Sequence, residues 1–566
     1  MNQQRLITNL LRLVEVPSIS GSRAEQEIPF LLRDLLLEID YFREHPEQIS
    51  LLPVAEDGGA RWLVCACLEG NGNYSDTVVL LSHYDVVDIC GYGQLAKYAF
   101  RPLDLARQLR QVSLPPSAAS DLASGDYLFG RGVLDMKFGI ALHIELLHHL
   151  AARRSTLPGN ILFLSLPDEE GDSAGMRSAV GELLKYNSSG KNLLAAINSE
   201  PQFPRYPGDE NRYIYTGTVG KLLPLVYCQG QPVHAGEPFA GLNPNLMLAE
   251  IIRHIELNPS LAGQLLGEKC PPPVCLGMSD NRTGYSVQTP PSAFAYFNVI
   301  TLDKDPRQVM QTLKNLVHTA LASAVDRVRT SAHLWSPVDL HTTVTWDPPV
   351  YSLDEFLVLC SHATGKTPAV LASEITAELA ATDLREATAE FVRRLGRFSP
   401  VKGPFAVIVL APPYYPHNYL TGSPGDRRIA EVAARLVERS RQQHGEGLSI
   451  SPFFPALSDM SYLRLAGNPD ASFLTANTPL WGSRYRVPLQ EIAALSLPFL
   501  NIGPLGKDAH QFTERLNLPY SLRVTPDLVM YAIKFLLNLD YSDREPFPLS
   551  STHKNCLCRS TYYQTQ

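Results

Sequence analysis

A histidine and an aspartate stand two residues apart at the end of an apolar run, VVLLSHYD at 78–85. Residues i and i+2 of a strand share a face, so His83 and Asp85 can act together. Two chemistries suit such a pair. One is a core imidazole satisfied by a neighbouring carboxylate. The other is a metal ligand whose second ring nitrogen is held by a carboxylate. Four more segments carry acids or imidazoles where strands or turns end. Asp135 stands in LFGRGVLDMKFG (128–139), where it would also serve as a helix N-cap. Asp168, Glu169 and Glu170 follow one another in LPDEEGD (166–172), which also suits a solvated turn. Glu200 sits in INSEP (197–201), and His510 in GKDAHQFTE (506–514). Each is ordinary alone. Together, His83, Asp135, Glu170, Glu200 and His510 offer two imidazoles and three carboxylates. That is a shell for two zinc ions, with manganese or cobalt also compatible. One carboxylate would bridge, each ion would take one His and one acid, and Glu169 would stay free as a general base.

Alternating elements must place these residues. Residues 6–14, 25–39 and 139–153 read as helices, and 61–68, 77–81, 160–166 and 193–197 as strands. This alternation predicts an α/β fold, a mixed sheet with flanking helices. Ligands gather at the carboxyl ends of strands in such sheets. A different rhythm runs through 212–349. Strands are expected at 213–228, 285–289, 294–302 and 341–346, with helices at 243–256 and 306–325. This is an inserted α+β unit. The α/β pattern returns with a strand at 405–410 and a helix at 426–443. The expected division is therefore 1–211 and 350–566 for one domain, with a mobile tail from about 550, and 212–349 for the insertion. Residues 101–124 read as an added helical segment, and PPYYPHNY (412–419) as a rigid surface loop without an assigned role.

The bulk properties narrow the partners. The chain has 566 residues, 45% hydrophobic and 19% charged, with net charge −8. No basic block suggests nucleic acid, and no apolar run is long enough to span a membrane. The N-terminal 20 residues lack a signal peptide's apolar region. The nine cysteines are scattered without a CxxC pair, against a disulfide framework or a thiolate zinc site. A cytoplasmic location is expected.

In this order, the motifs resemble the M20 family of metal-dependent amidohydrolases and exopeptidases. That family includes acetylornithine deacetylases, succinyl-diaminopimelate desuccinylases, aminoacylases and glutamate carboxypeptidases. The matching phrases are HxDxV at 83–87, GRGxxDMK at 130–137, DEExxxxG at 168–175, the EP of Glu200 and the late AH of His510. Residues 233–245 (VHAGEPFAGLNPN) resemble the family's lid motif. NSEP, DENRYIYTG, GEPFAGLN and GKDAHQFTERL look like its RocB-type arginine-utilisation branch. The resemblance implies a zinc-exopeptidase-like catalytic domain and an inserted lid and dimerisation domain. It implies that Asp135 bridges two ions, that His83 and Glu200 complete one site, and that Glu170 and His510 complete the other. Asp85 would brace the His83 ring, and the Asp135–Met136 peptide would be cis. Glu169 would be the base, His234 the oxyanion donor and Asn243 a substrate contact. The substrate would be a small N-acyl amino acid or peptide, and the chain a homodimer through the insertion.

Two departures stand out. The phrases FNVITLDK (297–304) and SDMSYL (458–463) lack the arginines that grip substrate carboxylates in many members. Arg282 or Lys304 are the candidate substitutes. A catalytically silent, ligand-binding homologue is the alternative, which the intact Glu169 disfavours.

Overall fold

The structure is a computed structural model describing residues 1–55, 60–206, 208–280, 282, 284–335 and 345–539. The apolar run NILFLSL is the fully buried strand Asn160–Leu166. It lies parallel to Asp76–His83 and antiparallel to Trp62–Glu69. Asp76–His83 pairs in parallel with Asn192–Asn198, which pairs in parallel with Phe499–Asn501. Ile49–Pro53 closes one edge, and Tyr213–Tyr215 with Ser449–Ser451 the other, giving eight strands. Strands buried on both faces become continuous Val, Ile and Leu runs, as here. The helix Lys137–Ala151 is buried on nearly every side. That fits its all-round apolar sequence. Leu6, Leu10 and Leu13 of the helix Gln3–Val14 join the same core.

A small sheet accompanies the large one. Gly506–Lys507 and Arg515–Asn517 form a hairpin, and the second strand pairs with Tyr127–Phe129. Chain segments nearly four hundred residues apart therefore leave one sheet side by side. The added segment folds as the helices Pro102–Leu109 and Pro116–Ser124. Leu105, Leu109, Ala118 and Leu122 share a core with Phe129.

Two compact units emerge. Of the described residues, the first comprises those within 1–218, 418–466 and 490–539, and the second those within 219–417 and 467–489. The second unit is a five-stranded sheet ordered Val274–Ser279, Ser292–Thr301, Gly220–Gln229, Phe405–Tyr415, Val350–Ser352. Helices Pro244–Ile255 and Pro306–Trp335 pack together within it.

Four expectations are corrected. The insertion does not end at 349. The strand Phe405–Tyr415 pairs antiparallel with Gly220–Gln229, which draws 350–417 into the second unit. An apolar run announces burial but not which sheet receives it. The long strand expected at 213–228 is two strands, Tyr213–Tyr215 and Gly220–Gln229, in separate sheets. No strand forms at 285–289, where Gln288 makes only an isolated bridge to His234. Val274–Ser279 pairs with Ser292–Thr301 instead. Residues 412–415 are not a surface loop but the buried end of a strand, where the Tyr414 N–H donates to the Tyr485 hydroxyl at 2.7 Å. The expected strand at 341–346 lies mostly outside the described residues, as does the tail from 550. All seven described cysteines are free. Among the described residues, no helix is long and apolar enough to cross a membrane.

Candidate metal centre

Strand ends deliver half of the site. His83 is the last residue of Asp76–His83. Glu200 lies two residues beyond Asn192–Asn198. Its backbone N–H donates to Asn501 Oδ1, and Asn501 Nδ2 donates back to the Glu200 carbonyl, both at 2.9 Å. The approach of the 500-loop is close enough that a Cβ on Gly503 would lie 1.6 Å from the Glu200 carbonyl oxygen. Only glycine fits there.

The acidic turn after Asn160–Leu166 is held by Asp85. One Asp85 oxygen accepts the Glu169 N–H at 3.1 Å. The other accepts the Glu170 N–H at 3.2 Å and the Ser20 hydroxyl at 2.6 Å. The Asp168 N–H donates to Glu25 at 3.0 Å, and Arg61 pairs with the Asp168 carboxylate at 2.6 Å. Asp168 takes a left-handed φ of 67°, an uncommon conformation that its surroundings must enforce.

Asp85 also faces His83. The His83 Nδ1 lies 3.1 Å from the Asp85 carbonyl and 3.5 Å from its carboxylate. A carbonyl can only accept, so Nδ1 carries the proton and Nε2 presents its lone pair. That Nε2 is 3.3 Å from Asp135 Oδ1 and 3.4 Å from Glu200. The other Asp135 oxygen is 3.2 Å from His510 Nε2, which is 3.1 Å from Glu170. His510 lies in the hairpin loop between Gly506–Lys507 and Arg515–Asn517, with φ 67°. The peptide Asp135–Met136 is cis.

Among the described residues three ligand sets result: His83, Asp135 and Glu200; Asp135, Glu170 and His510; and His83, Glu169 and Glu170. Donor atoms within each lie inside 4.8 Å of one another. The five residues singled out in the sequence therefore meet, with Asp135 common to the first two sets. Glu169 stands beside them, its carboxylate 3.8 Å from His83 Nε2.

The electrostatics are those of a carboxylate-rich cavity. Burial pushes the Glu200 carboxyl up to about 8, and Asp135 adds to that. Burial also raises Glu169 well above its ordinary range, reinforced by Glu200, Glu170 and Asp459 and opposed by His83. Burial opposes charge on His83, but Glu200, Glu169, Asp135 and Asp85 outweigh it and raise the imidazole. Too many acids share too little water, and divalent cations are the natural counter-charge. Imidazole and carboxylate donors suit zinc, cobalt and manganese, so the residues fit a metal pair.

Several supporting residues are not apparent from sequence. Asp459 is buried near the site, and burial raises its carboxyl to about 7. The phrase SDMSYL contains it, yet nothing in that phrase points toward Glu169. Glu25, Ser20 and Asn501 are ordinary polar residues with no local signal. Glu514 stands inside the motif of His510, four positions on, and is buried with its carboxyl pushed up to about 7.

His234 and Asn243 belong to the second unit. His234 is exposed, and its Nδ1 accepts the Gly236 N–H at 3.0 Å. Asn243 caps the helix Pro244–Ile255 through the Asn245 N–H. Arg282 bonds Asp280 at 2.8 Å, and Lys304 bonds the Ser260 and Ala262 carbonyls at 2.6 and 3.0 Å.

The family Peptidase family M20/M25/M40 matches residues 79–483. The chain belongs to that family. The uncharacterized protein YqjN of Bacillus subtilis (strain 168) is 35% identical over 94% of this chain and 97% of its own length. Protein RocB of the same organism is 32% identical over 93% of this chain and 94% of its own. A tripeptidase from Staphylococcus aureus subsp. aureus mu50 superposes with TM-score 0.53 at 13% identity, covering 95% of this chain and 99% of that one. The last likeness concerns the fold. Membership of the M20 family makes this chain a metal-dependent hydrolase.

Proposed function

We propose that this M20 hydrolase holds two divalent ions, zinc first among them, and cleaves an amide bond in a small N-acyl amino acid or peptide. The observation that carries the reading is the division of Asp135: one oxygen toward His83, the other toward His510. Each imidazole has a second carboxylate of its own, Glu200 or Glu170. Such ions, when bound, supply the Lewis acidity that polarises an amide carbonyl and acidifies water.

The chain's own residues supply the rest. Glu169 takes the proton of the attacking water and passes it to the leaving amine. Its carboxylate stands 3.8 Å from His83 Nε2, beside the residues that would hold the ions, where such a base is needed. Asp85 fixes the Glu169 backbone and the His83 tautomer at once. His234, with Nδ1 accepting from Gly236, has Nε2 left as the protonated nitrogen and so as a donor to a substrate oxyanion. Asn243 is the proposed substrate contact of the same motif, and a homodimer through the second unit completes the reading. The RocB-type resemblance puts N-acyl arginines first among substrates.

The test combines metal content with turnover. Zinc-, cobalt- or manganese-loaded protein is offered N-acyl amino acids and dipeptides, and free amine is followed by mass spectrometry. The expected result is two ions per chain and amine release. Glu169→Gln should keep both ions and lose about 10²–10⁴-fold in turnover. Wild-type turnover in that variant removes Glu169 from its role.

A further inference from the structure

Glu514 and Arg131 are buried, 0% and 2% exposed, and the mechanism above uses neither. They form an ion pair through Arg131 Nη1 and Glu514 Oε2. The other Glu514 oxygen accepts the N–H groups of Leu134 and Asp135 at 3.2 and 3.4 Å. The Glu514 carbonyl accepts the Gly130 N–H at 3.1 Å. Arg131 Nη2 donates to the His510 carbonyl at 2.9 Å and to the Asp88 carbonyl at 3.2 Å. The Arg131 guanidinium also lies over the Tyr92 ring, 5.4 Å from its centroid.

These bonds close a loop. The Asp135 and His510 side chains face each other, and their backbones are joined through Glu514 and Arg131. The other half-centre has no such need. His83 ends a central strand, and Glu200 is locked to Asn501. His510 instead sits in a hairpin loop with a left-handed backbone and a half-exposed side chain.

We infer that Arg131 and Glu514 are positioning residues that hold His510 in register with the shared carboxylate of Asp135, and so set the affinity of the Asp135–Glu170–His510 site alone. The pair contacts no reacting atom. Its effect travels through backbone groups on either side of the shared ligand. Outer-shell partners of this kind commonly change metal affinity 10–100-fold. The inference rests on the two-centre reading above.

The experiment is zinc titration of metal-stripped, full-length wild type, Glu514→Gln and Arg131→Lys, by calorimetry and by elemental analysis after graded chelator dialysis. Amide hydrogen exchange of 508–514 is followed in the stripped proteins. Glu514→Gln keeps an acceptor for the two N–H groups but loses the charge, and Arg131→Lys keeps the charge but loses the fork. Arg131→Lys, the milder change, serves if Glu514→Gln fails to fold. The expected result is one site at wild-type affinity and a second weakened about 10–100-fold, with faster exchange in 508–514. Excess zinc should restore kcat. Two sites at wild-type affinity in both variants, or equal weakening of both sites, overturns the inference while the two-centre reading stands. A wild type that binds a single ion overturns the two-centre reading and this inference with it.

Discussion

His83 and His510 have the same side chain and the same proposed task in opposite settings. The His83 side chain is 1% exposed at the end of a central strand, and that of His510 is 49% exposed in a hairpin loop. His83 inherits its position from the sheet, because strands on both sides fix the strand that carries it. His510 inherits its position from hydrogen bonds, because a loop has no sheet to define it. Burial opposes charge on His510, but Asp135 and Glu170 outweigh it and push the imidazole up to about 11. The acids of the cavity thus attract both rings, and only the means of placing them differs. One half of the centre is built into the core, and the other is delivered to it and fastened.

The largest break in this comparison comes from the residue both halves share. Asp135→Ala should drop bound zinc below one ion per chain and abolish amine release, read by elemental analysis and mass spectrometry. Retention of one tight ion would show that the halves do not depend on a common carboxylate. Next come the two imidazoles. His510→Ala should keep about one ion per chain and cost the metal-free protein less stability than His83→Ala, because the His510 ring is half-exposed although its partners Asp135 and Glu170 are buried. His83→Ala should lose its ion and destabilise the metal-free protein by about 3–5 kcal/mol, since it strips the partner from buried carboxylates. Equal penalties in urea unfolding would contradict the division into a core half and a loop half.

A smaller effect sharpens the comparison further. Asp85→Asn keeps an acceptor near His83 but replaces one of the oxygens that hold the Glu169 and Glu170 N–H groups. A fall in kcat/KM of about 10–100-fold is expected, with the ion of the His510 half retained. An unchanged rate would remove Asp85 as an orienting residue. The smallest expected effect concerns pH. Burial and the Asp85 charge raise the Glu25 carboxyl to about 8, with Arg61 opposing. A carboxyl raised on folding binds its proton more tightly in the native state, so its favourable contribution is full below about 4.5 and fades as pH rises through about 8. Glu25→Gln stays neutral throughout. Its stability relative to wild type should therefore improve from pH 5 to pH 8.5, measured by urea unfolding of the stripped protein. A constant difference would show that Glu25 does not titrate in that range.

Much of the centre was legible in the chain. The five candidate ligands and Glu169 were visible because each stands where an apolar run or a glycine-flanked turn ends, and the structure brings all six together. The alternation of elements likewise announced the α/β sheet that carries them. The helix at 306 was legible too, although it runs on to Trp335. Partnership was what local pattern could not supply. Phe405–Tyr415 reads as a buried strand anywhere, and only its ladder with Gly220–Gln229 assigns it to the second unit. Glu25 and Ser20 look like helix and turn residues until the acidic turn folds over them.

The sequence by itself determined which groups could do the chemistry, because ligand type, acid–base character and strand or turn propensity are properties of residues and their near neighbours. Tertiary structure alone decided that one carboxylate would face two imidazoles, one 52 positions before it and the other 375 after it. It also decided that Asp85 would clamp two backbone amides, and that Glu514 and Arg131 would fasten the loop of His510. Those choices depend on burial and on hydrogen-bond partners distant in the chain, which no short window of sequence contains.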